Sequence, residues 1–201
     1  MSENVQAIAE WGADLERLRS SYRRLADSRL PVNLYSAQAR AQRRAATLLH
    51  GIASGSGWWE ELDCRQLADD ERGDRTSLLL GGASGGVALS PHTRGLIEAA
   101  GTGTLFLTHV EKLPAEARRR MASVFASRYY TPAGDPFPRP VNCRVVVATA
   151  KPLRLLAQSY MIEWEVADAL GFVALRAESV VKALGARNIL DSHPGELAAA
   201  S

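Results

Sequence analysis

Apolar residues recur at Ile8, Trp11, Leu15, Leu18, Tyr22 and Leu25, spacings of three and four that put six groups on one stripe of a helix. The stripe has two readings: it docks on its own domain, or Trp11, Leu15, Leu18 and Tyr22 meet a partner or a second copy. After Leu30 and Pro31 the pattern changes. Short apolar runs at Pro31–Tyr35, Trp58–Cys64, Thr104–His109, Cys143–Ala148 and Phe172–Leu175 read as strands, while Ala39–Gly51, Ala115–Ser127 and Leu153–Leu170 carry helical periodicity. Strands that alternate with helices predict an α/β fold, a parallel sheet covered on both faces. Thr76 to Ser90 reads as two short strands around a glycine-rich turn, and the stretch after Ala177 as a helix and a frayed tail. The expected organisation is an amphipathic helix over 1–29, a core over 30–176, and a C-terminal helix and tail over 177–201.

Composition narrows this only slightly. The 201 residues are 46% hydrophobic and 23% charged, which fits one folded domain with short appendages. The net charge of +2 marks neither a nucleic-acid nor a membrane binder, but the charge is segregated. From Leu15 to Arg44, Arg17, Arg19, Arg23, Arg24, Arg29, Arg40, Arg43 and Arg44 stand against only Glu16 and Asp27, and the acids of Trp58–Asp74 follow. Cys64 and Cys143 lie in apolar contexts and are expected to be reduced and buried. With no basic apolar leader and no long apolar run, the expected location is cytoplasmic.

Several patterns carry candidate chemistry. Gly82-Ala83-Ser84-Gly85-Gly86 formally matches the turn that exposes a nucleophilic serine, but that turn must open a helix and here Val87 to Pro91 continues extended. A hairpin turn is the preferred reading, and a hydrolase built on Ser84 is not expected. Histidines 50, 92, 109 and 193 have no partner at ligand spacing, so no metal site is expected. His109 ends an apolar strand, where α/β proteins place functional groups, although a satisfied rim histidine fits it better. Arg118-Arg119-Arg120 and the Arg40–Arg44 segment could bind phosphates, but no aromatics interleave with them as a single-strand platform needs.

Gly101-Thr-Gly-Thr-Leu-Phe-Leu-Thr-His-Val-Glu-Lys-Leu-Pro114, the helix pattern Ala115–Phe125, and Cys143-Arg-Val-Val-Val-Ala-Thr-Ala-Lys-Pro-Leu153 together resemble one family. They are similar to the AAA+ ATPase domain of bacterial enhancer-binding proteins, the activators of sigma-54 RNA polymerase, over about Pro31 to Arg176. The resemblance implies a three-layer αβα parallel sheet of the P-loop NTPase type, without room for the helical lid. It also implies where catalytic groups should stand. The phosphate loop falls on Ser36-Ala-Gln-Ala-Arg-Ala-Gln42, where every glycine is gone and Gln42 takes the lysine's place. The Walker B acids align with Thr108 and His109, the polar sensor with Ala150, and the two arginines that reach a neighbour's nucleotide with Glu163 and Ala169. The sigma-contacting loop gives way to the Gly81–Leu89 hairpin.

What the resemblance implies is therefore a AAA+-like regulatory protein with degenerate ATPase motifs (Ser36, Arg40 and Gln42 for the loop, Thr108 and His109 for Walker B), no cofactor and no enzymatic activity. It would act by protein–protein contact in transcriptional or motility-related control. The expected partner is an enhancer-binding AAA+ ATPase or a related regulator, with self-association as a further expectation. Its contacts are expected at Trp11, Leu15, Leu18, Tyr22, Arg40, Arg43 and Arg44. The alternative is a module that binds DNA or an anionic nucleotide messenger through the Arg-rich N-terminal third.

Overall fold

The computed structural model describes residues 16–53, 57–68, 77–80, 95–132 and 135–185. Five parallel strands form the sheet, β1 (Val32–Tyr35), β2 (Trp59–Asp63), β3 (Thr104–Thr108), β6 (Arg144–Thr149) and β7 (Val173–Arg176), in the order β2-β3-β6-β1-β7. β4 (Tyr129–Tyr130) and β5 (Arg139–Pro140) make a separate antiparallel ribbon that the apolar pattern does not announce. The central strands are buried on both faces, as parallel strands under two helical layers must be. Leu105 and Leu107 of β3, with Val145 and Val147 of β6, serve one core, while Phe106, Val146 and Ala148 serve the other.

The first core is closed by α5 (Leu96–Ala100), α6 (Ala115–Ser127), α7 (Leu153–Gln158) and α8 (Trp164–Leu170). The second is closed by α2 (Ala39–Ile52) and α9 (Ala177–Gly185), which pack on each other. Each Leu or Phe fully buried in these layers stabilises the fold by roughly 1.5–3 kcal/mol. Pro114 and Pro152 stand at the N-caps of α6 and α7, where the missing N–H costs nothing and the fixed φ favours the first turn.

Helix α1 spans 16–27 among the described residues, so the Ile8, Trp11 and Leu15 positions of the apolar stripe lie outside them. Within it the stripe divides. Tyr22 and Leu25 pack against the second core, whereas Leu18 stays 47% exposed. A buried guanidinium fixes the helix end: Arg144 donates through Nε to the Ala26 carbonyl at 2.5 Å and through Nη1 to Thr104 Oγ1 at 2.9 Å. His50 also meets Thr104 Oγ1 through Nδ1 at 3.0 Å, and burial together with Arg144 lowers its pKa.

Three expectations need correction. Ser77–Leu80, read as a strand, is a helical turn (α4) that buries Leu79 and Leu80 beside α5. An apolar run as short as Leu78 to Leu80 has no periodicity to tell helix from strand. The rest of the Thr76–Ser90 hairpin, with Ser84, lies outside the described residues. The Leu153–Leu170 pattern is two helices, broken where Tyr160 takes a left-handed φ of 55° and the Ser159 hydroxyl donates to the Leu155 carbonyl at 2.9 Å. Finally, β3 stops at Thr108, because His109 turns to φ 55° and caps the short 3-10 turn Val110–Lys112. Cys64 and Cys143 are both free and buried.

Candidate functional site

The C-terminal ends of β1, β3 and β6 open on a cavity of about 480 Å³, the edge where open parallel sheets place their ligands. Ser36, Arg40, Gln42, Arg43, Thr108 and His109, all singled out from the sequence, line it together. Ala150, at the sensor position, contributes a methyl group to its wall. Arg44 lies around the helix, in a groove between α2 and α9 that Arg40 also borders.

The segment between β1 and α2 is short and tied down at each step. The Ser36 N–H donates to the Thr149 carbonyl at 3.1 Å, and the Gln38 N–H donates to Ser36 Oγ at 2.9 Å. Ser36 Oγ in turn donates to Glu178 Oε1 at 2.5 Å, a bond that holds the Glu178 carboxyl below its usual range. Because Ala39, Arg40 and Ala41 carry side chains and favour helix, α2 starts at Ala39, three positions before Gln42. The N–H groups of Ala41 and Gln42 therefore donate to the Gln38 carbonyl, at 3.0 and 3.2 Å. In a phosphate loop such groups face the anion. Here they close the first helical turn.

Gln42 itself is only 8% exposed. Its Nε2 donates to the Ser36 carbonyl and the Thr149 carbonyl, each at 2.8 Å, so both amide hydrogens are spent bridging the ends of β1 and β6. Asn33, fully buried on β1, completes the bridge. Its Nδ2 donates to Thr149 Oγ1 at 2.7 Å, and its Oδ1 accepts the Leu153 N–H at 3.0 Å, anchoring the start of α7. Apolar spacing could not have revealed Asn33, since it sits inside a buried strand as a polar exception.

On the other side of the cavity, the register of β2 on β3 sets Asp63 opposite Thr108. This brings the Asp63 carboxylate to His109, with Oδ1 3.2 Å from Nδ1, while Nδ1 also lies 3.2 Å from Thr108 Oγ1. Arg65 grips the same carboxylate through Nε at 3.0 Å, and this bond above all holds its pKa down to about 2. The rim reading of His109 thus acquires a carboxylate partner invisible in the local sequence. Arg43 pairs with Glu61. Among the described residues, one buried carboxylate oxygen of Glu111 has no hydrogen-bond partner. Among the described residues no group of three His, Cys, Asp or Glu side chains is placed to hold a metal ion.

Positions aligned with trans-acting arginines are committed elsewhere. Glu163 accepts two bonds from Arg118, Nε to Oε2 at 2.9 Å and Nη2 to Oε1 at 3.1 Å, which keep its carboxyl low in pKa. Arg118 is therefore an internal strut, not a phosphate contact, while Ala169 borders a separate groove beside Arg29 and Phe172. Of the expected partner contacts, Leu18, Arg40, Arg43 and Arg44 are exposed and Tyr22 is half-buried on its own core. Trp11 and Leu15 lie outside the described residues. No helix among those residues is long and apolar enough to cross a membrane.

Comparison with known proteins fits this geometry. The chain is 33% identical over 136 residues to the C4-dicarboxylate transport transcriptional regulatory protein DctD of Rhizobium meliloti, covering 67% of this chain and 29% of that protein. It is 30% identical over 160 residues to the DNA-binding transcriptional regulator NtrC of a Bradyrhizobium species, covering 71% of this chain and 33% of that protein. It thus spans about a third of the length of these curated relatives. Among solved structures, NtrX from Brucella abortus in complex with ATP matches 81% of this chain and 36% of its own, with a TM-score of 0.63 at 18% identity. The P-loop NTPase domain of a sigma-54 activator from E. coli matches 84% of this chain and 94% of its own, with a TM-score of 0.51 at 18% identity. The model of the sigma-54 interaction domain matches residues 17–165, most of the chain, so this protein belongs to the sigma-54 interaction domain family.

Proposed function

We propose that this chain is a AAA+-like domain that does not hydrolyse ATP and acts in transcriptional or motility-related control by contact with another protein. The observation that carries the reading is the closed first turn of α2: the N–H groups of Ser36, Gln38, Ala41 and Gln42 are bonded within the chain, as are both Gln42 amide hydrogens. A triphosphate would find no ammonium there, and the N–H groups of Ser36, Gln38, Ala41 and Gln42 are already engaged. Across the cavity, Thr108 and His109 replace the two carboxylates that would hold magnesium and orient water, and Asp63 is already engaged by Arg65. The residues present do not fit the magnesium nucleotide.

The partner in this reading is an active enhancer-binding ATPase or a related regulator, met through surfaces that such domains use to contact one another. The test is turnover. The chain alone is expected to release no phosphate from Mg-ATP, and its addition to an active sigma-54-type ATPase is expected to change that enzyme's rate. Phosphate release by the chain alone overturns the non-catalytic reading, and an unchanged partner rate without co-elution overturns the choice of partner.

The exposed Arg40, Arg43 and Arg44 favour a second reading, binding of DNA or an anionic nucleotide messenger. Salt-dependent retention on DNA or a cyclic dinucleotide supports it, and no retention at low salt removes it.

A further inference from the structure

The buried guanidinium that fixes the end of α1 is tied in turn to a histidine. Thr104 is fully buried at the start of β3, and its hydroxyl meets two neighbours, Arg144 Nη1 at 2.9 Å and His50 Nδ1 at 3.0 Å. A guanidinium can only donate, so Thr104 Oγ1 accepts from Arg144 and has its own single proton left to give. Among the described residues the acceptor within reach is the Nδ1 lone pair of His50. This selects a neutral imidazole that carries its proton on Nε2.

Protonation of His50 opposes this arrangement in two ways. Nδ1 would then aim a proton at Oγ1, and the buried Thr104 hydroxyl would lose its acceptor. A second positive charge would also stand beside Arg144, the charged group that acts on the imidazole. Burial and Arg144 together hold the His50 pKa below 6.5, and they outweigh the carbonyl end of α2, which favours a cation in the last turn. Trp59 of β2 packs edge-on against the ring at 5.6 Å, while Asp27 and Arg29, at the end of α1, act on Arg144 in turn.

Helix α1 depends on this relay. Arg144 Nε donates to the Ala26 carbonyl at 2.5 Å, whereas the tie from Arg23 Nε to the Ile52 carbonyl is long, 3.4 Å, and exposed. Tyr22 and Leu25 are only partly buried where they meet the second core. We propose that His50 is a proton-operated latch for α1: neutral, it completes the Thr104–Arg144 relay that holds the Ala26 carbonyl, and protonated, it opens the relay and lets α1 leave the sheet. Release takes Tyr22 and Leu25 off the second core and uncovers an apolar seam. The latch is independent of the reading of the cavity, since His50, Thr104, Arg144 and Ala26 do not line it.

Because the docked state favours the neutral imidazole, docking of α1 is complete above pH 6.5 and weakens as pH falls below it, by up to about tenfold per pH unit. The test is NMR of the full chain between about pH 7.5 and about pH 5.5, with amide exchange corrected for its intrinsic pH dependence. Imidazole nitrogen spectra are expected to show His50 protonated on Nε2 at neutral pH and titrating below 6.5. Over the same range the amides of α1 are expected to lose about tenfold in protection while those of α6 keep theirs. His50→Asn sets an amide oxygen near the Nδ1 position and does not titrate here, so α1 is expected to stay protected at both ends of the range. His50→Leu leaves the Thr104 hydroxyl without an acceptor and is expected to lower α1 protection roughly tenfold at both ends. Protection of α1 that stays constant while His50 titrates overturns the proposal. So does a fall shared equally by α6 or by His50→Asn, wild-type protection in His50→Leu, or a neutral His50 with its proton on Nδ1.

Discussion

Gln42, which the family resemblance sets in the place of the phosphate-binding lysine, spends both amide hydrogens on the Ser36 and Thr149 carbonyls. Gln42→Ala leaves the Ser36 carbonyl without its donor and the Thr149 carbonyl with only the Ser36 N–H, and is expected to lower stability by about 1–3 kcal/mol in urea denaturation. Gln42→Lys alone is expected to leave ATP unbound in a titration, because the Ala41 and Gln42 N–H groups remain bonded to Gln38. Asp63 carries a pH signature. Its folded pKa of about 2 lies below the ordinary 3.8, so its contribution to stability is complete above about pH 4 and is lost as pH falls toward 2. Urea titrations across that window are expected to show a shallower decline for Asp63→Asn than for the wild type. His109 was legible as the end of an apolar run, and Ser36, Gln42 and Thr108 through the family resemblance carried by the neighbouring blocks. Asp63 and Asn33 were not legible as parts of the site. One reaches it through the register of β2 on β3, the other through a buried polar bridge between β1 and β6, and both are contacts between segments far apart in the chain.

At the scale of elements, strands and long helices were readable wherever burial imposes a period. β3 and β6 are continuous apolar runs because both their faces are covered, and α2 and α6 each turn one apolar side inward. Short elements escaped. Leu79 and Leu80 of α4 are buried by tertiary context, and the turn at Tyr160 follows from side-chain bonds to the end of α7. Glycine has a definite task at one junction, where the chain entering β2 passes the chain entering β3. A Cβ on Gly103 would lie 1.9 Å from the Trp58 carbonyl oxygen, and one on Gly57 2.1 Å from the Gly103 nitrogen. Gly103→Ala is therefore expected to cost at least about 1–3 kcal/mol in thermal or chemical denaturation, since backbone must shift to admit the methyl group. Helix α2 starts at Ala39, so the N–H groups of Ala41 and Gln42 bond to the Gln38 carbonyl.

For the whole molecule, two apolar layers on a five-stranded parallel sheet reproduce the architecture of sigma-54 activator domains, while the polar groups at its C-terminal edge bond to one another. The architecture was legible from alternation alone and the family from the Gly101–Pro114 and Cys143–Leu153 blocks. Whether the edge is open or closed was not, because it depends on where α2 begins and on which carbonyls Gln42 reaches. The central claim is that this edge holds no nucleotide. Calorimetric titration of the full chain with Mg-ATP tests it most directly: no saturable heat is expected up to millimolar nucleotide, whereas saturable binding with a micromolar Kd would contradict the account.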